Sequence, residues 1–299
     1  MTPRTPSTAR ARGAALLLVL WLIVLLTSVV GAFALTARIE HLQGRVLARG
    51  TVADAAARAG VEYALVRLQD EDARRRWLPD GRAYRWRYHD AEVTLRIVDE
   101  NGRVDLNYAD ATLLTELVRT LGIEQAEAAR LASAIIDWRD GDTLTQPAGG
   151  AEDADYASAG RPYGAKDAEF ESTQELLQVL GFTPEIVERL LPAITVYSGR
   201  ERPDPAFAPP AVLTAMGLDG EEIVRQRERW TPGSGEAPPT LPGGLSLGGD
   251  GSGAYSMDSV ARLADGRESR LRVVVRSGGG ALPGTIYTPL RWEDGASAR

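Results

Sequence analysis

No charged residue occurs between Arg12 and Arg38, a window of 25 residues reading GAALLLVLWLIVLLTSVVGAFALTA. In lipid a chain must satisfy its own backbone polar groups, so such a run is helical. About 20 apolar residues, each rising 1.5 Å, cross the hydrocarbon core. A secretory signal has a shorter apolar run of about 7–15 residues followed by a small-residue cleavage site. This run is longer and passes without a turn signal into a stretch of helix formers. A cleaved signal and a buried helix of a soluble domain are the weaker alternatives. Arg4, Arg10 and Arg12 precede the span, and no acidic residue comes before Glu40. The positive-inside tendency places the N-terminus in the cytoplasm and the bulk of the chain across the membrane. No second apolar run of spanning length follows, so the expected topology is single-pass.

The mean hydropathy of -0.18 conceals this span. The 299 residues suggest about two domains. Lys+Arg number 34 against 41 Asp+Glu, a formal charge of -7. That balance argues against a general nucleic-acid binder, which carries a basic surface. Cys is absent, which excludes disulfides, thiolate zinc sites and cysteine nucleophiles. Two His leave little for an imidazole metal site.

Residues 37–75 are rich in Ala, Arg, Leu, Glu and Gln, good helix formers. Ala55, Ala59, Tyr63, Val66 and Leu68 read as the apolar stripe, with Asp54, Arg58, Glu62 and Arg67 on the wetter side. One helix of about 50–60 residues is expected, half of it in lipid. Residues 83–99 alternate as two strands with HDAE as the turn. A second hairpin runs from 254 to 276 around Asp265-Gly266. Because one hairpin alone is marginal, the two are expected to share a sheet. The region between them is then an insertion within one α/β domain.

That region is helical and repetitive. Apolar helices break at LGI, LGF and MGL near 122, 181 and 217, and each break leads into a capped helix. These units look like helix–hairpin–helix elements. The paired glycines that expose amides to phosphate are missing from the first two, and acidic residues flank all three, so the expected role is packing. Residues 231–253 are rich in Gly, Pro and Ser and read as a mobile, unpacked loop.

Asp137, Asp140, Asp142, Glu152, Asp153 and Asp155 crowd into nineteen residues. Calcium takes six to eight oxygen ligands from a flexible loop, and these residues supply such oxygens, although the spacing is not that of an EF-hand. Composition alone leaves three readings open: a calcium site, a solvated acidic surface, or a catalytic carboxylate pair. No G-x-S-x-G, H-E-x-x-H or P-loop occurs. Asp258 and Ser259 lack a base to complete a triad, and His89 reads as an exposed turn residue. No catalytic residue is assigned.

The basic leader ending at Gly13, with the apolar helix starting at Ala14, resembles a class III signal of the type IV pilin kind. RGAALLLVL at 12–20, NGRVDLNYAD at 101–110, IIDWRDGD at 135–142, AEDADY at 151–156, the 30 residues at 170–199 and SMDSVARLADGR at 256–267 together resemble minor pseudopilin K of type II secretion systems. The resemblance implies an α+β, type IV pilin-like fold: a long N-terminal helix, an antiparallel sheet and a large inserted all-helical domain. It implies cleavage by prepilin peptidase between Gly13 and Ala14, N-methylation of Ala14, and a calcium-binding helical domain. Pilins generally carry Glu as the fifth mature residue, where this chain has Leu18. Its absence fits a subunit at the filament tip, with none above it.

The expected parsing is 1–13 leader, 14–37 membrane part of the helix, 38–103 periplasmic helix and first strands, 104–200 helical insertion, and 201–299 the remainder with loop 231–253 and C-terminal strands. The implied setting is the inner membrane, in pseudopilus assembly and protein export. Implied partners are the I- and J-type minor pseudopilins, the major pseudopilin, the inner-membrane secretion platform and prepilin peptidase. A secreted substrate or the outer-membrane secretin are further partners, and no nucleic acid is expected. The rival readings are a membrane-tethered calcium-dependent enzyme or binding domain, and a DNA-uptake pseudopilin.

Overall fold

The computed structural model describes residues 12–242, 244–249, 251–278 and 286–295. Residues 1–11, within the expected leader 1–13, lie outside them. The chain divides into two units, one ending at Ala53 and one running from Asp54 to Arg299. Helix α1 (Arg12–Leu68) runs through 57 residues and contributes to both.

In the first unit, Ala15–His41 is long and apolar enough to cross a membrane. Its large side chains from Leu16 to Leu35 are exposed, as a lipid-facing surface requires.

The second unit is built on a five-stranded antiparallel sheet in the order β1-β2-β5-β6-β7. Its strands are β1 (Asp80–Tyr88), β2 (Ala91–Asp99), β5 (Ala254–Leu263), β6 (Glu268–Ser277) and β7 (Tyr287–Asp294). The first turn is only His89-Asp90, tighter than HDAE, with Ala91 already paired to Tyr88. Asp265-Gly266 turns β5 into β6, with Gly266 at φ +85. Strand β7 shows no period-two signal. Its Pro289 sits beside a register shift on the edge strand, where a missing amide is tolerated.

The buried stripe of α1 in this unit differs from the expected one. It is Ala56, Ala57, Gly60, Val61, Ala64 and Leu65, while Ala55 and Val66 face out. Small residues win because helix and sheet approach closely. A Cβ on Gly60 would stand 2.8 Å from Ser259 Oγ and 2.8 Å from Val93 Cγ1. Ser259 Oγ, fully buried, donates to Ala57 O at 2.8 Å. The larger Tyr63 lies at the flank and stacks on Trp86 at 4.5 Å.

Between β2 and β5 lie the helices α2 (Ala111–Arg119), α3 (Gln125–Arg139), α4 (Asp153–Ser158), α5 (Pro184–Leu190), α6 (Pro210–Ala215) and α7 (Gly220–Arg229). Short parallel strands β3 (Val104–Asp105) and β4 (Ile194–Thr195) close the first part of this region. The three glycine breaks share one geometry: Gly122, Gly181 and Gly217 have φ of +83, +91 and +79. At the third, Leu218 N reaches back to Leu213 O at 3.0 Å, a helix-terminating bond that glycine permits. The following helices start on Glu124, Thr183 and Asp219, whose side chains accept from Ala126 N, Ile186 N and Glu222 N. The stretch 173–177, expected as α-helix, is a 3-10 turn.

One apolar cluster joins these helices. It includes Leu114, Leu131, Ile135, Leu176 and Ile194, and past residue 200 also Val212, Leu213, Ile223 and Leu247. Segment 231–253, expected to be unpacked, is therefore anchored. Leu247 is buried in the cluster, Trp230 Nε1 donates to Glu236 O, and Ser252 Oγ donates to Asp99. Its turns let one apolar side chain turn inward. The NGRVDLNYAD motif is structural. Asp105 accepts from the amides of Asn107, Ser198 and Gly199. Asn107 bonds the Phe170 backbone through both amide atoms.

Candidate metal centre

The carboxylates meet where α3 ends and α4 begins. Asp137 occupies the last turn of α3 and is fully buried. Ser133 and Ala134, four and three residues earlier on the same helix face, are buried too, so the helix phase carries Asp137 inward with them. Asp140 caps the helix end, its amide bonding Ile136 O. The loop then returns so that Glu152 stands at the N-terminus of α4. One oxygen from each of Asp137, Asp140 and Glu152 lies within 4.8 Å of the other two.

Glycine permits this return. A Cβ on Gly150 would fall 1.8 Å from Asp137 Oδ2. Asp137 accepts from Ala151 N at 2.7 Å and Gln146 N at 3.2 Å. Asp140 Oδ1 and Glu152 Oε1 are buried without a hydrogen-bond partner. Buried acceptors are normally paired, so these two oxygens call for a donor or a cation. Oxygens bound to one calcium at 2.3–2.6 Å lie at most about 5.2 Å apart, and the three carboxylates meet that bound. A cluster of this kind can coordinate a metal ion.

The electrostatics agree. Burial, opposed by the amides of Gln146 and Ala151 and reinforced by Asp140 and Asp142, holds the Asp137 pKa up. Burial and then Asp142 raise Asp140. Glu152 is pushed from 4.5 to about 7 by burial first, then by Asp137, Asp140, Asp167 and Asp142.

The six acidic residues thus separate. Asp137, Asp140 and Glu152 come together. Asp142 is exposed, accepts from Leu144 N and adds to the field. Asp153 accepts from Ala165 N, beside Gly164. Asp155 accepts from Glu152 N at 3.0 Å and so caps α4. The sequence reading missed Asp167, which bears on Asp140 and Glu152. It lies twelve residues past Asp155, and only its φ of +53, a conformation Asp tolerates, sets it apart. Gln146 was missed too; its side chain reaches Asp140 at 3.4 Å.

Other assignments fall elsewhere. Gly13 and Ala14 lie at the start of α1. His89 is exposed in its turn against Tyr88. Ser259 is committed to Ala57 O. Near the acidic cluster, Trp138 is only 3% exposed and packs on Tyr156, Tyr163 and Phe170. It offers no open face for stacking a sugar. At the glycine turns, the caps already take amides that a DNA phosphate would need.

Residues 95–199 match the family model "Type II secretion system (T2SS), protein K". The type II secretion system protein K of Aeromonas hydrophila is 38% identical over 78 residues, 26% of this chain and 24% of that protein. The match therefore spans about a quarter of the relative's length. A chain in the crystal structure of the GspK-GspI-GspJ complex from the enterotoxigenic Escherichia coli type 2 secretion system has the same fold. Its TM-score is 0.58 at 15% identity, covering 87% of this chain and 99% of that one. With its long N-terminal helix, antiparallel sheet and helical insertion, the chain shares the fold of that chain, and its residues 95–199 are similar to type II secretion system protein K.

Proposed function

We propose that this protein is a minor pseudopilin at the tip of a type II secretion pseudopilus, acting in its assembly and in export of folded proteins. The observation that carries this reading is the helical insertion, matched to the protein K family over 95–199 and set between β2 and β5 of a pilin-like sheet. A bulky insertion on one subunit disfavours stacking on both sides, and Leu18 at the fifth mature position removes the carboxylate a repeating subunit would use. The fold neighbour comes from a complex of K, I and J subunits, so the I- and J-type pseudopilins are the first partners. The major pseudopilin, the platform and prepilin peptidase follow from the same role, as does contact with substrate or secretin. The protein performs no chemical step. Residues 1–13 are its leader, the apolar helix its inner-membrane anchor, and the remainder its periplasmic domain. The insertion begins near 104 and shares its core with 201–247.

Mass spectrometry of the mature N-terminus tests this route. A chain starting at N-methylated Ala14 is expected. A start near Ala34 or Ala37 would sink it.

The cation is calcium, held by Asp137, Asp140 and Glu152 with loop carbonyls and water completing its shell. Asp142, Asp153 and Asp155 act through the field and the loop's shape. Calcium at about a hundred times its Kd stabilises the folded state by roughly 2.7 kcal/mol. Thermal unfolding of the full chain in detergent is expected to rise with calcium and fall with chelator. An unchanged midpoint, with no calcium found by elemental analysis, would remove the metal.

A further inference from the structure

Strand β1 is an edge of the five-stranded sheet. It pairs with β2 on one side, and no other described helix or strand runs along it. Its start is covered, because the Arg82 guanidinium donates to Arg227 O at 2.9 Å and to Trp230 O at 3.3 Å. Residues 83–88 are the open stretch. In an antiparallel ladder alternate residues point both N–H and C=O away from the paired strand. Here those outward groups have no backbone partner among the described residues.

The two faces of this stretch differ. Trp86 stacks on Tyr63 of α1 at 4.5 Å, so Tyr84, Trp86 and Tyr88 lie on the α1 side. The rings of Trp86 and Tyr88 stand 5.3 Å apart and form an apolar strip beside the edge. Arg85 and Arg87 lie on the opposite face, both exposed. Arg96 of β2 stands across from Ala83, so it shares that face, and it is exposed too. None of these three arginines has a hydrogen bond or an ion pair among the described residues. The carboxylates across the strands from them are Glu92, opposite Arg87, and Asp258, opposite Arg96. Asp258 faces Arg270 and Arg272 instead, at 3.6 Å each.

An unpaired edge is a template for another strand, and its side chains select which one. Cross-strand neighbours on one face attract when oppositely charged and repel when alike. A strand with acidic residues beside Arg85 and Arg87, and apolar residues beside Tyr84, Trp86 and Tyr88, is favoured on both faces. The β1 strand of a second copy would bring arginine against arginine. The β7 strand of a second copy lacks an amide at Pro289. Charges on an edge guard it against unspecific pairing, and arginines guard it against every strand except an acidic one. We propose that β1 is a docking edge, along residues 83–88, for a strand of a different chain that alternates acidic and apolar residues. Guanidinium–carboxylate bonds give the contact its specificity, and the main-chain ladder gives it its register.

Calorimetry and hydrogen exchange on the full chain in detergent test this. The probes are acetyl-Val-Glu-Val-Glu-Val-amide, whose five residues span Tyr84 to Tyr88, and its counterpart with Lys for Glu. The Glu peptide is expected to bind saturably. The Lys peptide should bind at least about tenfold more weakly, because two opposite-charge pairs become two like-charge pairs. At saturation with the Glu peptide, the outward amides within 83–88 should exchange at least about tenfold more slowly. The double variant Arg85→Glu with Arg87→Glu should reverse the preference and bind the Lys peptide better. Both positions are exposed, so the variant tests the edge without threatening the fold. Three results would overturn the proposal: no saturable binding of the Glu peptide, equal binding of the two peptides, or unchanged exchange at 83–88. A double variant that still prefers the Glu peptide would overturn the role of the two arginines.

Discussion

At the scale of single residues, the metal centre depends on Gly150 as much as on its carboxylates. A methyl there would collide with Asp137 Oδ2, so Gly150→Ala is expected to abolish the calcium-induced rise in unfolding temperature. The titration of Glu152 gives a second outcome. Its folded pKa is about 7 against 4.5. Between those values the folded metal-free chain holds a proton that the unfolded chain has lost, so stability falls as pH rises through that window. Without calcium the unfolding midpoint should decrease from about pH 5 to about pH 8, and calcium should flatten the decrease. Glu152→Gln should raise metal-free stability near neutral pH and lose the calcium response; melting curves across pH check both. The acidic composition of this region was legible in the sequence. Which three of six carboxylates converge was not, because that depends on the return of the loop over Gly150 and on Asp167 arriving from outside the run.

At the scale of elements, two effects compete at Gly60. Alanine is the better helix former by about 1 kcal/mol. Its Cβ would nevertheless sit 2.8 Å from Ser259 Oγ and Val93, and overpacking costs about 1–3 kcal/mol. Gly60→Ala is therefore expected to destabilise by up to about 2 kcal/mol. Gly50→Ala, with nothing within 4 Å, should be neutral or stabilising; denaturant unfolding of the two variants compares them. At the third glycine turn, Asp219→Ala removes the bond to Glu222 N and should cost about 1 kcal/mol. The glycine breaks, the two hairpins and the continuous N-terminal helix were readable from period and turn chemistry. The phase of α1 was not, since the larger side chains drew the stripe toward Tyr63 and Val66 while the buried face is mostly Ala and Gly, with Val61 and Leu65. Leu247 was hidden in the same way, as one apolar residue in a Gly- and Pro-rich segment.

At the scale of the whole molecule, a helix long and apolar enough to cross a membrane and a domain whose residues 95–199 match the protein K model fit the proposed role in assembly. On that proposal, helix packing in lipid supplies association, and the insertion would restrict where in a stack the subunit fits. The uncharged window from 13 to 37 made the anchor readable. The insertion was readable because two distant hairpins needed one sheet. Which strand of the first hairpin stays at the open edge was not, since that depends on β5 joining β2. The central claim is that one copy sits at the tip. Native mass spectrometry of the full chain, co-expressed with the I- and J-type pseudopilins of its own source and extracted in detergent, measures this directly. The account predicts a complex with one copy of this chain, and several copies in that complex, or filaments of this chain alone, would contradict it.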